Sequence, residues 1–124
     1  TLSYKIVFYQ YIRQDGFIEM RLEGDVDLID WQKCLMELDS RRFSLQCVLI
    51  DGRGLRAFNL NHAECQVVAG DFVNFLERAV FLSADPLIFG MMRIIQSYAD
   101  NDRFRVVKTL QQALDFLGID RTYA

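Results

Sequence analysis

The stretch Gly52-Arg53-Gly54-Leu55-Arg56-Ala57 fits G-x-G-x-x-A and directly follows a β-type run, QCVLID, ending at Asp51. In that pattern the glycines let a backbone approach a pyrophosphate at a helix N-terminus, and an acidic residue further on, here Asp71, completes the site. The fingerprint normally opens a larger domain at its first strand. Here the strand is the third, and Phe58, Asn59 and Leu60 delay the next helix cap to Asn61. The reading preferred is a tight turn at the carboxyl end of a strand.

Five residues near the ends of two parallel strands form the first candidate ligand site: Asp51, Arg53, Arg56, Ser83 and Asp85. Sheets of alternating strands and helices usually place ligands at those ends. Two arginines beside helix N-termini could hold a phosphate or a carboxylate. The competing reading makes Asp85 only a cap and leaves the arginines solvated or paired with Asp51. His62 is the single histidine, with Cys65 one helical turn on. A Cys–His pair at that spacing rarely aligns for attack, and Cys65 falls on a buried stripe. No carboxylate pair, metal-ligand grouping or Ser-His-Asp order stands out. Catalytic residues, metal and cofactor are therefore all expected to be absent.

The helix after Pro86 carries more apolar residues than packing on a sheet requires. Leu87, Met91, Ile94, Ile95 and Tyr98 read as its core stripe, Ile88 and Met92 widen it, and Phe89 lies beyond, beside Gln96. A sheet-packed helix needs a stripe roughly 100° wide. The surplus of Ile88, Phe89 and Met92 is either a partner or dimer surface, for which Met and Phe are suited, or a face covered by a loop or hairpin.

These residues need a scaffold, and the periodicities supply one. SYKIVFYQYI reads as a strand, Asp15-Gly16 as a hairpin turn, and Ile18, Met20 and Leu22 alternate with Glu19, Arg21 and Glu23 as a half-wet second strand. Gly24 is expected to break that strand. Asp27 with Asp30 opens a helix whose stripe is Leu28, Trp31, Leu35 and Leu38, ended by Ser40-Arg41-Arg42. Residues 46–51 form a strand buried on both faces, and DGRGLRAFNL follows as a loop. Asn61 with Glu64 caps a helix that runs to about Leu76 with Cys65, Val68, Ala69, Phe72 and Leu76 inward. Strands at 78–83 and 104–108 flank the Asp85-Pro86 helix start. Thr109 with Gln112 makes a capping box for a last helix that buries Leu110, Ala113, Leu114 and Leu117 and closes at Gly118. The predicted architecture is a single α/β domain over 1–124, a mixed five-stranded sheet with an N-terminal antiparallel hairpin followed by parallel strands, and four helices.

Composition narrows the function. The chain has 124 residues, 52% hydrophobic and 25% charged, which is a folded composition of single-domain size. A net charge of −3 with scattered basic residues argues against nucleic acid or an anionic membrane as an obligatory partner. No apolar run reaches the roughly 20 residues of a membrane span, and the start lacks a signal-peptide pattern. Three cysteines (Cys34, Cys47 and Cys65), far apart and odd in number, read as buried reduced thiols.

The segments EMRLEGDVDLIDW, VLIDGRGL, VFLSADPLIFGMM and VVKTLQQALDFLG together resemble the SpoIIAA-like family within the STAS-type fold, over Tyr4 to Gly118. The resemblance implies a small cytoplasmic binding or regulatory module, STAS-like and not an enzyme; the surplus of Ile88, Phe89 and Met92 adds the expectation that it acts on a protein partner or as a homodimer. Relatives of the fold also resemble Sec14-type lipid carriers, which implies as an alternative a small apolar or acidic-headed ligand. The best understood STAS relatives are switched by phosphorylation of a Ser at a helix start. The corresponding segment here, DGRGLRAFNLNHAE, holds neither Ser nor Thr, so that switch does not carry over.

Overall fold

The computed structural model describes residues 7–14, 17–40, 47–75, 78–99 and 102–118. Nine elements follow in order: β1 (Val7–Gln14), β2 (Phe17–Asp27), α1 (Leu28–Ser40), β3 (Cys47–Asn59), α2 (His62–Phe75), β4 (Arg78–Leu82), α3 (Pro86–Tyr98), β5 (Phe104–Val107) and α4 (Leu110–Leu117). The Asp15-Gly16 turn, Arg41-Arg42, Leu76 and the side chain of Leu38 lie outside the described residues.

Strand order in the sheet is the same as chain order. β2 pairs parallel with β3, β3 with β4 and β4 with β5, while β1 pairs antiparallel with β2. The expectation of a mixed five-stranded sheet built on an antiparallel hairpin is corrected accordingly. The sheet that carries the helices is the four-strand, all-parallel array β2–β5, and β1 only flanks it at one edge. The reason is that β2 pairs with β3 along almost its whole length, from Ile18 to Asp27.

Two further corrections concern the middle of that pairing. Gly24 does not end β2; it takes a positive φ of 87° at an irregularity and the strand runs on to Asp27. DGRGLRAFNL is mostly strand, not loop, because β3 continues to Asn59. The register moves from Arg21↔Asp51 to Glu23↔Gly54 and then from Gly24↔Leu55 to Asp25↔Ala57. β3 therefore gains one residue on β2 at each step, and Arg56 is the surplus residue of the second bulge. The glycines are there for close approach. A Cβ on Gly52 would stand 2.5 Å from Cζ of Phe81, and one on Gly54 would stand 2.8 Å from Cγ of Glu23.

Alternation along the strands divides the core in two. Ile18, Met20, Leu22, Val48, Ile50, Ala79, Phe81, Phe104 and Val106 face α1, α2 and α3, with Trp31, Cys34, Val68, Phe72, Ile88, Met92 and Ile95 packed on them. Phe17, Leu49, Val80 and Leu82 face the other way, under Ala113, Leu114 and Leu117 of α4. At the β5 edge, Gln96 of α3 accepts the Val106 N–H through Oε1 at 3.0 Å. One outward-facing donor of that edge strand is thereby closed to a pairing chain.

Candidate binding surface

The residues expected at the carboxyl ends of the strands are present, but as satisfied pairs. Asp51 is nearly buried and receives the Arg53 backbone N–H at 3.1 Å, Nε at 2.9 Å and Nη2 at 2.9 Å. Burial pushes the Asp51 carboxyl up, and the Arg53 hydrogen bonds and charge more than offset it, so its pKa lies below the ordinary value. Arg56 makes a bidentate pair with Asp25, Nε to Oδ1 at 3.1 Å and Nη2 to Oδ2 at 3.0 Å. Asp85 caps α3, accepting the N–H groups of Leu87 and Ile88 at 3.0 and 3.1 Å. Ser83 is buried, and its hydroxyl accepts the Asp85 N–H at 3.3 Å. An anionic group arriving here would have to displace a carboxylate from each arginine. The strand order also runs without reversal, so the sheet lacks the switch point at which a ligand crevice forms.

His62 does not act on Cys65. Its Nε2 shares a hydrogen bond of 3.0 Å with the Tyr98 hydroxyl, and the two rings meet edge to face. Cys65 is buried, and burial, followed by the charge of Glu64, pushes its thiol up, away from the thiolate a nucleophile requires. Among the described residues no His, Cys, Asp and Glu group could hold a metal, and no helix is long and apolar enough to cross a membrane.

Ile95 is buried as expected, but most of the α3 face is the reverse of the one read from the sequence. Ile88 and Met92, read as surplus surface, are buried against the sheet together with Ile95. Phe89 is half-buried on the β5 side, where Lys108 Nζ lies 4.8 Å and Arg93 5.9 Å from its ring centroid. Of the surface expected at Ile88, Phe89 and Met92, Ile88 and Met92 are thus closed by packing, and Phe89 stays half-buried. Leu87, Ile94 and Tyr98, read as core, are instead 85%, 48% and 44% exposed. With Met91 they follow i, i+4, i+7, i+11 spacing and form one apolar row along the outside of α3.

That row runs into a cavity of about 260 Å³ lined by Arg56, Ala57, Phe58, Asn59, Leu87, Ile88 and Met91. Its other wall is the bulged tail of β3. Periodicity could show that α3 has two apolar arcs, but it contained no signal for choosing between them. The β3 wall went unseen because the glycines suggested a loop.

No family model and no curated protein matches the chain. Among solved structures it is similar to an uncharacterized protein of the DUF3478 family with a SpoIIAA-like fold, from Shewanella loihica PV-4. The TM-score is 0.62 at 16% identity, over 94% of this chain and 98% of the other.

The fold is SpoIIAA-like. At this identity the likeness extends to architecture alone.

Proposed function

We propose that this SpoIIAA-like chain is a binding module that works by docking a protein and not by catalysis, through the Leu87, Met91, Ile94 and Tyr98 row of α3. The observation that carries the reading is Leu87, 85% exposed at the mouth of an apolar cavity and continued by a row of apolar neighbours. Such a row, beside a groove, suits a partner that lays an apolar helix face against it. The partner is another protein or a second copy of the chain. Side chains that could do chemistry are occupied elsewhere: Asp51 by Arg53, Asp85 by the α3 cap, and His62 by Tyr98. The test is a Leu87→Asp/Ile94→Asp double variant, which should keep the far-UV circular dichroism and melting temperature of the parent. It should lose self-association in sedimentation, or lose a partner that cross-linking places on α3. A parent that sediments as a monomer and retains nothing that the variant does not also retain would sink the reading.

The cavity supports a second reading, a carrier or sensor of a small apolar ligand. An acidic head is disfavoured, because Arg53 and Arg56 are already neutralised. Native mass spectrometry separates the two readings: a co-purifying small molecule released by Met91→Trp favours the carrier.

A further inference from the structure

A second cleft, independent of the α3 face, lies between α1 and α2. Its volume is about 300 Å³, and it is lined by Gln32, Leu35 and Met36 of α1 and Asp71 of α2. The walls are mainly apolar. Leu35 packs on the core below, whereas Met36 is 70% exposed. A thioether on three rotatable bonds adapts to whatever it covers.

The one carboxyl among the described residues of this cleft is held in place. Trp31 is fully buried, tilted against Phe72 with ring centroids 5.0 Å apart, and donates Nε1–H to Asp71 Oδ2 at 3.1 Å. A carboxylate has about four acceptor sites, and a single indole N–H fills one. Partial withdrawal from water leaves the charge poorly compensated: burial pushes the Asp71 carboxyl up, and the Trp31 bond recovers only part.

We propose that this cleft binds a small organic cation, an ammonium on a short apolar stem, with the ammonium against Asp71 and the stem along Leu35 and Met36. The chemistry selects this class. A neutral apolar molecule would cover the carboxylate without pairing it, and a carboxylate ligand would meet like charge. Calcium or magnesium needs six or more oxygen ligands, including waters, and among the described residues the lining offers one carboxylate and the Gln32 amide. Gln32 can accept a second ammonium N–H, which an alcohol head would use less well.

Trp31 is the only tryptophan of the chain, so its emission reports directly on its hydrogen-bond partner. The parent is titrated with n-hexylammonium, n-hexanol and hexanoate at matched ionic strength. A saturable change in Trp31 emission is expected with n-hexylammonium alone. Asp71→Asn should weaken it about tenfold or more, since a charge-assisted bond is lost while the amide oxygen can still accept the indole N–H. Met36→Ser, at an exposed site, should weaken it with the Asp71–Trp31 bond untouched. Near-UV circular dichroism checks that both variants keep the Trp31 environment. The proposal is overturned by no saturable response to n-hexylammonium, by an equal response to n-hexanol, or by unchanged affinity in both variants.

Discussion

Asp51 and Asp71 are both partly withdrawn from water, and their partners decide opposite outcomes. Arg53 gives Asp51 a charge and three hydrogen bonds, and its pKa lies below the ordinary value. Stability from such a group is present above the unfolded pKa of about 3.9 and is lost as pH falls through the folded value. Among the described residues Asp71 has one neutral donor, and its pKa is raised. Its contribution is present below about 3.9 and is lost as pH rises through the folded value. Urea unfolding of Asp51→Asn should show a loss of about 1–2 kcal/mol near neutrality, with a shallower acid limb than the parent. Sequence spacing brought Asp51 and Arg53 together as a candidate ion pair. The Arg56–Asp25 pair was not legible, because it joins residues 31 apart across a bulge.

At the scale of elements, start and stop signals were the most legible. Asn61–Glu64 and Thr109–Gln112 make the reciprocal bonds their spacing predicts, and Gly118 closes α4 in the left-handed region. All of these depend on residues within one turn. The phase of α3 was not legible: apolar residues occupy two arcs, and only contact with β3 and β5 selects Ile88, Met92 and Ile95. Glycines show the same dependence on context. Gly52→Ala, which would drive a methyl into the buried Phe81 ring, should cost about 1–3 kcal/mol. Gly90→Ala, in mid-helix with nothing within 4 Å of the new carbon, should gain about 0.5–1 kcal/mol. Thermal midpoints moving in the same direction for both would contradict this assignment of space.

Across the whole molecule, the sheet joins two cores that do not touch. α1, α2 and α3 cover one face and α4 the other, and β3 and β4 supply alternate residues to both. Loss of packing under α4 should therefore weaken the face where Trp31 reports. Leu114→Ala is expected to cost about 2–4 kcal/mol, with Trp31 emission and far-UV circular dichroism giving one shared midpoint. Separate midpoints would mean that α4 unfolds independently of the three-helix face. Unreversed strand order also explains why the strand ends make a poor ligand crevice and why the exposed chemistry lies on helix surfaces.

The sequence by itself determined the kinds and order of the elements, their caps, the alternation that splits the strands between two cores, and the resemblance to a SpoIIAA-like fold. These follow from propensity, periodicity and capping, which act over a few residues. The tertiary structure decided that the helix-bearing sheet is all parallel, that β3 runs through its glycines with two bulges, and that α3 buries Ile88 and Met92 while exposing Leu87, Ile94 and Tyr98. It also paired the arginines with Asp51 and Asp25. Each of those outcomes is a choice between local alternatives of similar energy, settled only by which neighbours the sheet brings within contact.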